Sequence, residues 1–190
     1  MKIAVLAVQG AFREHQKKLE TLGVQHIELR KREDLQKSFD GLILPGGEST
    51  VQGKLLKELN MYDILKEKIE KGMPVLATCA GLILLAENLT NDEQVYFGTL
   101  PVSVKRNAYG RQLGSFHTIS EIKGIGKVAM TFIRAPYIET VENGVEILSV
   151  VDQKIVGVKY GAQYGFSFHP ELEEDNRIHE MFINAVRERT

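Results

Sequence analysis

Three short stretches of this chain hold the residue types needed for acyl transfer: VLATCAGLILLA at 75–86, YGFSFHPEL at 164–172 and LPGGEST at 44–50. The first contains Cys79, the only cysteine. A cysteine attacks as its thiolate, which a helix N-terminus favours through unpaired N–H groups and the macrodipole. The apolar run MPVLAT followed by GLILLAE puts Cys79 on a strand-to-helix corner. The small neighbours Ala77, Thr78, Ala80 and Gly81 let the chain turn there and let a substrate approach the backbone. The same small residues also suit a packing corner, with Cys79 as a small hydrophobe.

A thiol nucleophile needs a base. His169 stands where an aromatic strand runs into Pro170, and Glu171 is two residues on, placed to hold the imidazole tautomer. His-Pro-Glu is equally readable as a strand-ending turn. His15, His26 and His179 fall among charged neighbours and read as solvated, while His117 in GSFHT can face either way. In LPGGEST, Gly46 and Gly47 expose backbone N–H groups, and Ser49 or Thr50 can cap a following helix. Such N–H groups, with that of Ala80, can stabilise an oxyanion; a tight turn with a cap accounts for the same residues.

The elements that must position these groups follow from the apolar pattern. KIAVLAV (2–8), VQHIELR (24–30), FDGLILPGG (39–47) and MPVLATC (73–79) read as strands, the first continuously apolar and so buried on both faces. FREHQKKLETLG (12–23) has Phe12, Leu19 and Leu22 at roughly helical spacing with Gly23 as its stop. LLKELNMYDILKEKIEKG (55–72) reads as one amphipathic helix, and AGLILLAEN (80–88) as a helix start. This alternation predicts an α/β fold with a mainly parallel sheet covered on both faces. From about residue 92 the texture changes to closely spaced strand-like runs, expected as antiparallel or mixed strands added to the same sheet. RIHEMFINAVRERT closes the chain as a helix, with Ile178, Met181, Phe182 and Val186 on one stripe. No linker or repeat divides residues 1–190, which read as one domain.

Composition excludes several classes of function. A formal net charge of −1, with acids and bases interspersed, argues against a nucleic-acid surface or a polybasic membrane anchor. One cysteine makes no internal disulfide, which points to a reducing compartment. The N-terminal apolar run reaches Gln9 and Gly10 too soon for a signal peptide, and no stretch approaches a membrane span. No phosphate loop and no Cys/His metal cluster is present, so neither cofactor nor metal is expected.

The order PGGEST, TCAGL, FHPE resembles the class I glutamine amidotransferases, the Cys-His-Glu triad family. More narrowly, VQGAFREH, LPGGEST, TCAGLILLA, KRNAYGRQLGSF, FIRAPYI and FHPEL together resemble the glutaminase subunits of pyridoxal phosphate synthase. The resemblance runs the whole chain, without a fused synthetase domain. It departs from the family's Gly-Thr-Cys-Ala-Gly at one point, where Ala77 stands at the first glycine.

The resemblance implies a three-layer, flavodoxin-like mixed sheet, mainly parallel, with helices on both faces. It implies that Cys79 attacks the side-chain amide of L-glutamine, that His169 moves the proton and that Glu171 orients His169. Gly46, Gly47 and Glu48 would contact the substrate, with Gly47 and Ala80 supplying oxyanion N–H groups. Arg106, Ile133 and Arg134 would complete the glutamine pocket; a cation such as Arg106 suits an α-carboxylate bidentately. The implied partner is a separate synthase subunit, twelve copies of each, that builds pyridoxal 5'-phosphate from a pentose phosphate and a triose phosphate using the ammonia. QGAFREH is the implied docking contact, and the synthase would help complete the oxyanion hole near Gly47. A cytoplasmic setting follows. Three alternatives fit parts of the pattern: a glutaminase feeding another synthase, such as that of imidazole glycerol phosphate; a cysteine peptidase or γ-glutamyl hydrolase; and a non-catalytic flavodoxin-like module in which Cys79 only packs.

Overall fold

In the computed structural model, which describes residues 1–109 and 114–189, the N-terminal apolar run becomes β1 (Lys2–Leu6). It leads into α1 (Phe12–Thr21) and then β2 (Gln25–Leu29), which lies parallel beside it. After a 3₁₀ turn at Arg32–Gln36 the chain forms β3 (Gly41–Leu44), on the other side of β1. The helices α2 (Ser49–Glu58) and α3 (Tyr62–Glu70) return it to β4 (Val75–Thr78), parallel to β3. Next come α4 (Ala80–Leu85) and β5 (Ala86–Leu89). The strand-rich half supplies β6 (Leu100–Lys105), β7 (Ser115–Ile122), β8 (Gly126–Ile133) and β9 (Tyr137–Val141). It continues with β10 (Glu146–Val151), β11 (Lys154–Tyr160) and β12 (Gln163–Phe166), and α5 (Arg177–Arg187) follows.

The main sheet runs β2-β1-β3-β4-β12-β11-β9-β6-β5, with β10 on β11. Its first five strands are parallel, and β12-β11-β9-β6 pair antiparallel, so the expected mixed sheet is present. Strand periodicity sorts the core into two layers. Ala4, Leu6, Leu42, Leu44, Val75 and Ala77 face the cluster that includes Leu56, Leu65 and Leu84, from α2, α3 and α4. Ile3, Val5, Ile43 and Leu76 face the cluster containing Leu19 of α1 and Phe182 and Val186 of α5. Helices therefore cover both faces, and β7 and β8 form a separate hairpin whose Val128, Met130 and Phe132 join the α1/α5 side.

Two expectations about elements are corrected. Residues 55–72 are not one helix: α2 starts at Ser49, and Asn60 takes a left-handed φ of 54° that breaks the run. The break lets Met61 plug the core, fully buried, between the two helices. The helix after Cys79 ends at Leu85, because Ala86–Leu89 is drawn into parallel pairing with β6. No helix among the described residues is long and apolar enough to cross a membrane.

Candidate active site

The chain turns at Cys79 with φ 49° and ψ −103°, a conformation that costs a side-chain-bearing residue about 1–3 kcal/mol. Neighbouring strands hold it there. The Cys79 N–H donates to the Phe166 carbonyl of β12 at 2.8 Å. Gly81 lies against β3 so closely that a Cβ would sit 2.1 Å from the Leu44 carbonyl oxygen. Ala77 sits just before the turn in regular parallel pairing with Leu44 and Gly165, a position where a methyl is accommodated.

His169 follows β12, and its N–H donates to the Thr131 carbonyl of β8 at 2.8 Å. Pro170 opens a 3₁₀ turn, Pro170–Leu172, which folds Glu171 back under the imidazole. His169 Nδ1 lies 2.7 Å from Glu171 Oε1, and the Glu171 side chain is wholly buried. Burial pulls the imidazole's affinity for protons down, but hydrogen bonds to Cys79 and Glu171 and the field of both groups raise it to about 10. Gly46 fits between the two side chains. A Cβ there would lie 2.3 Å from His169 Cε1 and 3.4 Å from Cys79 Cβ, so only glycine leaves room for both.

Cys79 and His169 open into one cleft of about 550 Å³. Gly47, Glu48, Arg106, Ile133 and Arg134, all expected at a substrate site, line it too. Gly46 lies against His169 and Cys79, Ala80 is buried at the start of α4, and Glu171 stands behind His169. Cys79 Sγ lies 3.9 Å from the Ile133 carbonyl oxygen. Arg134 has a left-handed φ of 45°, which ends β8, and its N–H donates to the Gly114 carbonyl. The Arg106 guanidinium is held by Asp92 at 2.6 Å and by the Thr50 hydroxyl at 3.2 Å. Within KRNAYGRQLGSF, residues 110–113 lie outside the described residues.

Some lining residues were not foreseen as part of a pocket. Gln9 reaches in from the QGAFREH stretch, and its Oε1 accepts the Glu48 N–H at 2.9 Å. Asn107 and Ser115 also line the cleft, and nothing in their local sequence distinguishes them from turn and strand-end residues. Two histidines are corrected outright. His15 and His179 are not solvated but fully buried, on the sheet face covered by α1 and α5. The pattern held a signal: His15 is four residues before Leu19, and His179 four before Ile183, so each shares a helical stripe with a core residue. His26 and His117 stay at the surface beside Glu20 and Glu173.

Comparison with known proteins places the chain in a family. The model of the SNO glutamine amidotransferase family matches residues 5–188. A pyridoxal 5'-phosphate synthase subunit PdxT of Desulfitobacterium hafniense (strain Y51) is 64% identical over 98% of this chain and 94% of its own. The PdxT of Streptococcus pneumoniae serotype 2 (strain D39 / NCTC 7466) is 52% identical with both chains fully covered. A crystal structure of a glutamine amidotransferase superposes with a TM-score of 0.92 at 42% identity, covering 97% of this chain and 98% of the other. With nearly its full length matched, this chain belongs to the SNO glutamine amidotransferase family.

Proposed function

We propose that residues 1–190 form one glutaminase domain that hydrolyses L-glutamine to L-glutamate and ammonia, and that it is the glutaminase subunit of a pyridoxal 5'-phosphate synthase. The observation that carries the reading is that Cys79 and His169 open into one cleft, with Glu171 buried behind His169 and its carboxylate 2.7 Å from the imidazole. The two relatives named as pyridoxal 5'-phosphate synthase subunits support the choice of pathway.

In this reading Glu171 holds the Nδ1–H of His169, and Nε2, its proton affinity raised to about 10, holds the proton that Cys79 gives up. The sulfur attacks the amide carbon, and the N–H groups of Gly47 and Ala80 receive the developing oxyanion. His169 returns the proton to nitrogen as the C–N bond breaks, releasing ammonia and leaving a thioester on Cys79. Water, deprotonated by His169, then cleaves the thioester to glutamate. Arg106, steadied by Asp92, faces the cleft as the partner for the substrate α-carboxylate. Gly46, Glu48, Ile133 and Arg134 shape the rest of the glutamine pocket. Ammonia passes to a synthase subunit docked near QGAFREH, twelve copies of each forming the assembly. Protonation in bulk water would make it unreactive, so a sealed route serves the chemistry. The reaction as written needs no metal or cofactor. A reducing cytoplasm keeps the single thiol free.

The test is glutamine hydrolysis measured with and without the synthase subunit. Cys79→Ala and Cys79→Ser are expected to abolish it while the fold and partner binding persist, and His169→Ala is expected to slow it more than Glu171→Ala. Wild-type turnover in His169→Ala would overturn the triad. Hydrolysis of peptides, or full activity indifferent to any synthase, would point to the peptidase or γ-glutamyl hydrolase class.

A further inference from the structure

Behind Glu171 lies a buried polar line that the reaction above does not use. His15 Nε2, on α1, is 3.1 Å from the Thr78 hydroxyl and 3.5 Å from Glu171 Oε2. His15 Nδ1 is 2.9 Å from His179 Nε2, on α5. His15, Thr78 and His179 are all completely buried, in a layer otherwise filled by Leu19, Leu76, Phe166 and Phe182. Three polar side chains in such a layer cost stability unless each hydrogen bond is made. No group of three or more potential ligands among the described residues is arranged to hold a metal.

The proton positions follow from elimination. His179 Nδ1 has no partner. A proton there would be a buried orphan donor, which is more costly than a bare lone pair. The proton of His179 therefore sits on Nε2 and is donated to His15 Nδ1. His15 then carries its own proton on Nε2, aimed at Thr78 and at the carboxylate oxygen of Glu171 that His169 does not use. The opposite arrangement would set a lone pair of His15 against that carboxylate. Burial, and then the charges of His179, His169 and Lys18, hold His15 well below its ordinary value of 6.5, while burial and Lys18 bring His179 to about 3. Both are neutral near neutral pH, so the two imidazole donors point the same way, towards Glu171.

Resting on the triad reading above, we infer that His15, backed by His179 and Thr78, is a positioning residue that fixes Glu171 by its second carboxylate oxygen so that the first faces His169. Oε2 is buried and makes no hydrogen bond, so removing the 3.5 Å contact with the His15 N–H takes away the polar group that faces it. The carboxylate is then free to rotate about its terminal torsion, a broad and weakly defined angle, and the imidazole loses its orienter.

The experiment is a double-mutant cycle on glutamine hydrolysis by the intact chain, run alone or with the synthase subunit, whichever gives the higher wild-type rate. His15→Leu, which keeps the volume and removes the donor, is expected to lower kcat about ten- to a hundred-fold. KM should stay within about two-fold, because the substrate is not touched. His15→Gln, whose Nε2 can take the place of the imidazole Nε2, is expected to recover most of the rate, and it covers the case in which the leucine variant folds poorly. Added to Glu171→Ala, His15→Leu should cost nothing further, since it acts only through that carboxylate. A folded His15→Leu with wild-type kcat, or a loss that simply multiplies with that of Glu171→Ala, overturns the positioning role and leaves the triad standing. Full activity in Glu171→Ala alone would instead overturn the triad, and the role of His15 with it.

Discussion

Cys79 spends conformational energy to stand where it does. At φ 49° its Cβ is crowded by its own backbone, a cost that glycine does not bear. Cys79→Gly is therefore expected to be about 1 kcal/mol more stable than Cys79→Ala in denaturant unfolding, although both are inactive. Equal stability would mean the elbow is unstrained. At this scale the sequence was most legible where a residue type is rare or chemically committed. A single cysteine among small residues and a histidine before Pro-Glu stand out in a linear reading. His15 and His179 did not, because charged neighbours along the chain suggested solvent, whereas a helix directs side chains by its own period of about 3.6 residues. Arg106 was legible as a cation, but its clamp of Asp92 and Thr50 comes from segments far apart in the chain.

Each element carries a chemical group to the C-terminal end of the parallel strands, where sites assemble in open α/β sheets. Strand β3 delivers Gly46, β4 delivers Cys79, and the segment after β12 delivers His169. Gly46→Ala tests how closely these ends fit. Its Cβ would overlap His169 Cε1 at 2.3 Å, so the ring must move. Turnover is expected to fall by about 100-fold or more, since a shift near 1 Å has that effect on aligned groups. The accompanying loss of stability, about 1–3 kcal/mol, should be visible in the same preparation by thermal melting. Helix α5 is held by its apolar stripe, and Phe182 is fully buried beneath it. Phe182→Ala is expected to cost about 3–5 kcal/mol in urea unfolding. The continuous apolar runs made the parallel strands easy to recognise, because burial on both faces removes polar alternation. The break between α2 and α3 was not, since Asn60 and Met61 continue an amphipathic pattern and only the left-handed φ of Asn60 and the packing of Met61 show it.

For the molecule as a whole, the buried histidines shape stability against pH from opposite sides. His15 and His179 are held neutral, below their ordinary value of 6.5. The unfolded chain therefore takes up more protons as the pH falls below about 6.5, and the fold weakens. His169 is raised to about 10, so its contribution is complete below about pH 6.5 and is lost as the pH climbs towards 10. Unfolding free energy is expected to peak near pH 6.5. His179→Gln should flatten the slope between about pH 6.5 and 5, above the range where carboxylates titrate, and His169→Gln should flatten the alkaline slope. Chemical denaturation across pH 5–10 checks both variants; unchanged slopes in either would show that its histidine does not carry the linkage.

The sequence by itself determined the order of strands and helices, the two-sided burial of the sheet and the residue types at its C-terminal edge, because these depend on local periodicity and on side-chain chemistry. Tertiary structure alone decided which side chains meet. The 2.7 Å contact between His169 and Glu171 is nearly local, but the approach of Cys79, the cleft wall at Ile133 and the line from His179 through His15 join segments separated by 54 to 164 residues. Such pairings are set by strand order and helix placement, which no neighbouring residue encodes.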